Sequence, residues 1–187
     1  MKYLEILLKS WKTVFTHDDI RVFFGIEKPD TIKKILYRLV KNWILQRLAH
    51  GIFALPHYEK FEFATLFKKN SYISLETVLY KEAIVFQYYG STVFLATDRT
   101  LTKRVLGLNF ECRKIKDEIL YNPLWIIQTG TYAIATAERA VCDRLYLSPR
   151  YYFDNLRPLK KEKLLEIAEI YGKRVVLEVK DLIQNAE

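Results

Sequence analysis

The sequence predicts an α+β protein. An N-terminal winged helix-turn-helix comes first, then a small, mostly antiparallel sheet domain with packed helices, closed by a C-terminal helical pair. Three observations predict this. Apolar residues recur at helical spacing three times before residue 44, then at strand spacing on both sides of a glycine turn. From residue 71 to 147, short strand-like runs alternate with helical ones. From Lys160 the pattern returns to helix, with Gly172 splitting it in two. The boundary is placed after the hairpin, giving domains 1–57 and 58–187.

In the opening MKYLEILLKSW, residues Tyr3, Leu4, Leu7, Leu8 and Trp11 fall at helical spacing and predict a short helix. Thr16 stands as an N-cap before HDDIRVFF, with Asp18 and Asp19 in the first turn where the helix dipole favours carboxylates. Ile20, Phe23 and Phe24 form the buried side, and Gly25 ends the helix at a place that needs positive φ. After the short link to Pro29 comes DTIKKILYRLVKNW, residues 30–43. Ile32, Ile35, Leu36, Leu39, Val40 and Trp43 share one face, while Asp30, Lys34, Tyr37, Arg38 and Lys41 share the other. Asp30 is the expected cap. Two helices joined by a tight glycine turn make a helix-turn-helix. Ile44–Leu48 reads as a strand, Ala49-His50-Gly51 as a turn and Ile52–Leu55 as the returning strand, stopped by Pro56.

A rigid rod bearing cations and long side chains suits the DNA major groove. Lys34, Arg38 and Lys41 are the expected phosphate or base contacts. Tyr37 reaches a phosphate through its hydroxyl or packs against the hairpin. Thr31 and Lys33 lie near the helix N-terminus, where base contacts concentrate. The hairpin carries Arg47 and His50 towards the adjacent backbone, although His50 is equally well a plain turn residue. Taken alone, this run is an ordinary amphipathic helix with a solvated basic face; its neighbours favour DNA. Charge distribution agrees. The chain carries a net charge of +8, and residues 1–57 hold ten Lys/Arg against five Asp/Glu, whereas the rest hold twenty against seventeen.

In the second region, residues 57–70 place Phe61, Ala64, Leu66 and Phe67 in helical register, and no Gly/Ser linker separates the halves. Ser74 is expected to cap a short helix through Tyr80. Ser91–Thr97 reads as a strand, Arg104–Arg113 as another, and Leu124–Gln128 with Thr131–Ala135 as a hairpin across Thr129-Gly130. Thr136 caps a helix, AERAVCDRLYL, that Ser148-Pro149 stops. Lys160–Tyr171 and Arg174–Gln184 form the final pair, where six basic and six acidic residues balance between Lys160 and Glu187.

Several function classes are disfavoured. Cys112 and Cys142 give neither a disulfide framework nor metal spacing, and a reducing cytoplasm is expected. The opening run is short for a signal sequence and Glu5 breaks it. No apolar stretch approaches the ~20 residues of a membrane span. His17, His50 and His57 are scattered, no Gly-rich phosphate loop appears, and no cofactor or metal is expected. Asp98, Glu111 and Lys114 make a nuclease-like triple, but Arg113 occupies the place two after Glu111 where such a site wants its lysine. Catalysis is not expected.

Three motifs carry a resemblance: LYRLVKNWILQRLAHGIFAL, SYISLETVLYKEAIV and TGTYAIATAERAVCDRL. In this order they resemble the AbiEi family, the antitoxin and transcriptional-regulator component of abortive-infection (type IV toxin–antitoxin) systems, from about Thr13 to Leu147. The likeness places Tyr72 and Ser74 in the family's second motif, and Glu138, Arg139 and Asp143 on its Glu-Arg and Asp positions. Thr77-Val78-Leu79 replaces the usual Ser-Ala-Leu, and Glu82-Ala83-Ile84 the usual His-Gly-Leu. Arg139 and Asp143, four apart, can pair, and Glu138 in the first turn can bond a loop N–H. These are structural roles. The resemblance implies a repressor binding double-stranded DNA at its own promoter. It also implies an antitoxin for a nucleotidyltransferase-type toxin, as a functional and not a stable physical partner. If a homodimer binds, the operator is a repeat with half-sites about one or two turns apart. The alternative is a winged-helix regulator whose second domain binds a ligand or protein without antitoxin activity; a metal-dependent DNA-processing enzyme is the weakest reading.

Overall fold

The computed structural model describes residues 2–185. The chain divides into two compact units, one ending at Phe67 and the other beginning at Lys68.

The first unit runs α1 (Lys2–Lys9), β1 (Val14–Thr16), α2 (His17–Phe24), α3 (Pro29–Lys41), β2 (Gln46–Ala49), β3 (Ile52–Ala54) and α4 (Lys60–Phe67). The strands form an antiparallel sheet of order β1-β3-β2, with Ala54 opposite both Val14 and Gln46. Leu7, Phe15, Ile20, Leu36, Leu45 and Phe53 lie in the core between helices and sheet. Helix α2 begins in a reciprocal box. The Thr16 side chain accepts from the Asp19 N–H at 3.1 Å, while Asp19 accepts from the Thr16 N–H at 2.8 Å. It ends at Gly25, whose φ of 63° is left-handed.

Four expectations change here. Helix α3 starts at Pro29 with Lys28 as its N-cap, so Asp30 does not cap it; Asp30 sits in the first turn and pairs with Lys33 at 3.4 Å. Proline at N1 has its φ preset and no N–H to satisfy, which lets the helix begin two residues early. Trp11 and Trp43 leave the apolar stripes: both lie past their helix ends at φ 59° and are 93% and 86% exposed. Strand β1 was not expected at all. The expected boundary at residue 57 precedes α4, which the first unit includes. Buried Glu62 of α4 accepts from Thr13 N–H and Oγ1 at 2.9 and 2.7 Å, tying that helix to the approach of β1.

The second unit runs β4 (Ser71–Ile73), α5 (Glu76–Lys81), β5 (Thr92–Thr97), β6 (Leu101–Val105), β7 (Leu108–Lys114), α6 (Asp117–Leu120), β8 (Ile126–Gln128), β9 (Ala133–Ala135), α7 (Ala137–Leu147), α8 (Lys161–Ala168), a 3-10 turn (Glu169–Tyr171) and α9 (Lys173–Asn185). Its sheet has the order β6-β7-β5-β4-β9-β8. The pairs β6/β7, β4/β5 and β8/β9 are antiparallel, whereas β5/β7 and β4/β9 are parallel. The sheet is therefore mixed, with three antiparallel pairs and two parallel ones, and so departs from an all-antiparallel sheet. The difference arises because β6 turns back on the outer side of β7, leaving β7 to run alongside β5. The single strand expected over 104–113 is a hairpin. Leu106 and Gly107, at φ 47° and 82°, turn the chain inside an otherwise continuous apolar run. Helices α5, α8 and α9 pack around α7. Among the described residues no helix is long and apolar enough to cross a membrane.

Candidate nucleic-acid interface

Helix α3 divides cleanly. Ile32, Ile35, Leu36 and Leu39 face the core, while Thr31, Lys33, Lys34, Tyr37, Arg38 and Lys41 are exposed. Lys33, Lys34, Tyr37, Arg38 and Lys41 line one shallow groove along the helix. Tyr37 is 68% exposed. Lys33 is tied to Asp30; Lys34, Arg38 and Lys41 make no ion pair among the described residues. Arg47 in β2 and His50 in the β2–β3 turn come together, with a guanidinium nitrogen 3.4 Å from His50 Nδ1 and Arg47 Nε donating to Ala49 O at 3.4 Å. Both are exposed. What this unit presents is a groove of cations and one phenol, plus an arginine–imidazole pair on a turn. Chemically that suits phosphate oxygens and base edges.

The residues of the two second-unit motifs meet in a different setting. Arg139 and Asp143, on α7, are wholly buried, with Arg139 Nε 3.7 Å from Asp143 Oδ1. Asp143 accepts three hydroxyls: Tyr72 at 3.0 Å, Tyr171 at 2.6 Å and Ser74 at 2.6 Å. Arg139 donates to the carbonyls of Ile119, Leu124 and Asn122 and to Tyr72 Oη, at 2.6, 3.0, 3.4 and 3.2 Å. Burial pushes the Asp143 carboxyl above its ordinary value, opposed by the Arg139 guanidinium and the three hydroxyls. Burial would lower Arg139, but Asp143 and the two phenols beside it carry its pKa above the usual value. Tyr72 and Tyr171 are raised well above 10.0, by burial first and then by Asp143, so they remain donors. Glu138 Oε1 accepts from the Lys160 N–H at 3.2 Å, holding the approach to α8.

Ser74 does not cap α5. The residue in that place is Leu75 at φ 54°, without a side-chain cap, and the Ser74 hydroxyl is committed to Asp143. Two contributors were missed from sequence. Tyr171 is 28 residues from Asp143 and carries no local signal. The pair Arg144–Glu76, at 3.0 Å, links α7 to α5 across a similar gap in pattern.

Asp98, Glu111 and Lys114 do not converge. Asp98 pairs with Lys68; Glu111 pairs with Arg113 at 3.2 Å and accepts from Thr102 at 3.0 Å. Lys114, three residues along β7 from Glu111, lies on the opposite sheet face. Among the described residues no group of three His, Cys, Asp or Glu is placed to hold a metal ion.

No family model matches this chain, and no curated protein matches it. Among solved structures, it is similar to the crystal structure of the RV2827C protein from Mycobacterium tuberculosis, with a TM-score of 0.57 and 9% identity over 98% of this chain and 75% of that one. At such identity the likeness concerns the fold alone.

Proposed function

We propose that the first unit is a winged helix-turn-helix and that this protein represses its own operon by binding double-stranded promoter DNA. The observation that carries this reading is the exposed face of α3, where Lys34, Arg38 and Lys41 stand beside Tyr37 with no ion pair among the described residues. Helix α2, the Gly25 turn and α3 supply the helix-turn-helix, and β2–β3 the wing, in the order α1-β1-α2-α3-β2-β3. Thr31 and Lys33 then meet bases near the start of α3. Lys34, Arg38 and Lys41 hold phosphates along it, and Arg47 and His50 meet the neighbouring backbone. The protein acts by binding and catalyses no reaction.

The AbiEi resemblance extends the proposal to an antitoxin accompanying a nucleotidyltransferase-type toxin, without a stable complex. The second unit's buried Arg139–Asp143 cluster then serves to hold that domain's shape. A second reading, in which the second unit senses a ligand, is favoured by one observation. A groove of about 390 Å³ lies between residues 153–161 and α9, lined by Phe153, Leu156, Leu164 and Leu182 beside Asp154 and Arg157.

The test is fluorescence anisotropy on this protein's own upstream DNA and on a scrambled duplex, for wild type and Lys34→Ala/Arg38→Ala. Tight binding that prefers the upstream duplex, lost in the variant, is the expected result. Equal weak binding to both duplexes, unchanged in the variant, would make the first unit a protein-interaction module.

A further inference from the structure

The groove beside α9 carries chemistry that the DNA-binding reading leaves unused. Along α9, Val175, Val179, Leu182 and Ile183 fall on one helical face. Val175 and Val179 are fully buried, whereas Leu182 and Ile183 are only half-buried. The apolar stripe thus runs on past the body it packs against. Across the groove lies the irregular stretch 148–160 between α7 and α8. Buried Phe153 and Leu164 line the groove with Leu156 and Leu159, and its volume is about 390 Å³. A second groove of about 400 Å³ shares Phe153, Leu156 and Leu182 with it, so the two adjoin.

Hydrogen bonds hold the irregular wall in place. The N–H groups of Asp154 and Asn155 donate to Ile84 O at 3.0 and 3.1 Å, and Asn155 Nδ2 donates to Ala83 O at 3.0 Å. Asp154 Oδ2 accepts the Phe86 N–H at 2.8 Å. Near the start of the stretch, the Arg150 N–H donates to Glu178 Oε2 of α9 at 3.0 Å. These ties preform the groove. Charge at its rim is uneven. Arg157 and Lys161 are exposed there, and Arg157 makes no ion pair among the described residues. The acid on that rim, Asp154, already accepts a backbone N–H. The adjoining groove has the opposite balance: Arg150 faces Asp181 and Glu178, the latter paired with Arg174 at 2.7 Å.

We propose that this groove takes a small organic acid, with its apolar body against Leu156 and Leu182 and its carboxylate at Arg157. The proposal rests on the ligand-sensing reading of the second unit and names the chemical class of that ligand. Leucines and a phenylalanine supply the apolar contact, and a guanidinium is the side chain best suited to a carboxylate. An ammonium head would meet two cations at the rim, and a neutral head would gain nothing from Arg157. The adjoining groove orients the acid, since a carboxylate placed there would face Asp181 and Glu178.

The experiment is isothermal titration calorimetry of the full chain with octanoate, octanol and octylamine, which share one apolar chain and differ in the head. Wild type is compared with Arg157→Ala, a change at an exposed position, and with Leu182→Gln, which removes apolar wall. Far-UV circular dichroism checks that each variant is folded. Octanoate is expected to bind about tenfold tighter than octanol, with octylamine the weakest. Arg157→Ala should remove the advantage of octanoate and leave octanol unchanged, whereas Leu182→Gln should weaken both. Octanol binding as tightly as octanoate, or an advantage that survives in Arg157→Ala, overturns the acid while leaving the groove a ligand site. Failure of the ligand-sensing reading appears separately: none of the three probes binds, or octanoate binds Leu182→Gln as it binds wild type, and the proposal falls with it.

Discussion

Helix α3 holds Lys33, Lys34, Arg38 and Lys41 in water, whereas α7 takes Arg139 and Asp143 entirely out of it. Both helices carry charge at spacings that repeat along one face, and the difference lies in what faces them. On α3 the apolar stripe of Ile32, Ile35, Leu36 and Leu39 satisfies the core, so the cations are left in solvent. On α7 the charged residues lie among the buried ones, and tyrosines, a serine and three carbonyls satisfy them. Exposed charge costs little to keep and little to lose from the fold, but a buried pair is expensive to break.

The largest effect expected from this comparison is on stability at α7. Arg139→Met leaves Asp143 buried without its cation and should cost about 3–5 kcal/mol in urea unfolding. Adding Asp143→Leu to it should recover part of that loss, because no charge is then stranded. A double variant less stable than Arg139→Met would break the comparison at its root. Ser74→Ala comes next, removing one hydroxyl donor from a buried carboxylate at a cost of about 1–3 kcal/mol in the same assay.

How much of this was legible follows from the range of each signal. Thr16, Asp19 and Gly25 fix α2 through contacts within nine residues, and the α3 stripe is a period of one helix. Both can be read locally. The tryptophans misled because Trp11 and Trp43 continue the apolar spacing past the point where the backbone has already turned left-handed. Strand β1 has three residues, too few to show a period, and exists because β3 pairs with it. Ser74 looked like a cap since it precedes a helix; its partner Asp143 lies 69 residues on, and only the parallel pairing of β4 with β9 brings α7 to it. The exposed face of the candidate site was therefore readable, and the buried cluster only as a motif.

A smaller effect sharpens the contrast within the first unit. Asp19 is opposed by its own burial, but hydrogen bonds from Lys12 and Thr16 hold its pKa below the ordinary 3.8. A carboxylate lowered in the folded state binds fewer protons there than when unfolded above its folded pKa. Its contribution is thus present above pH 3.8 and is lost as pH falls through the folded value. Asp19→Asn should cost about 0.5–2 kcal/mol near neutral pH and show a flatter acid limb in a pH series of unfolding curves. An acid limb identical to wild type would remove Asp19 from that role.

The most direct measurement is the thermal unfolding midpoint of wild type and of Lys34→Ala/Arg38→Ala, each alone and with the upstream duplex. If α3 displays charge for a partner and α7 keeps charge for the fold, the two proteins melt together when alone, and the duplex raises the midpoint of wild type only. A variant that melts early by itself, or one that the duplex stabilises as fully as wild type, would contradict that division.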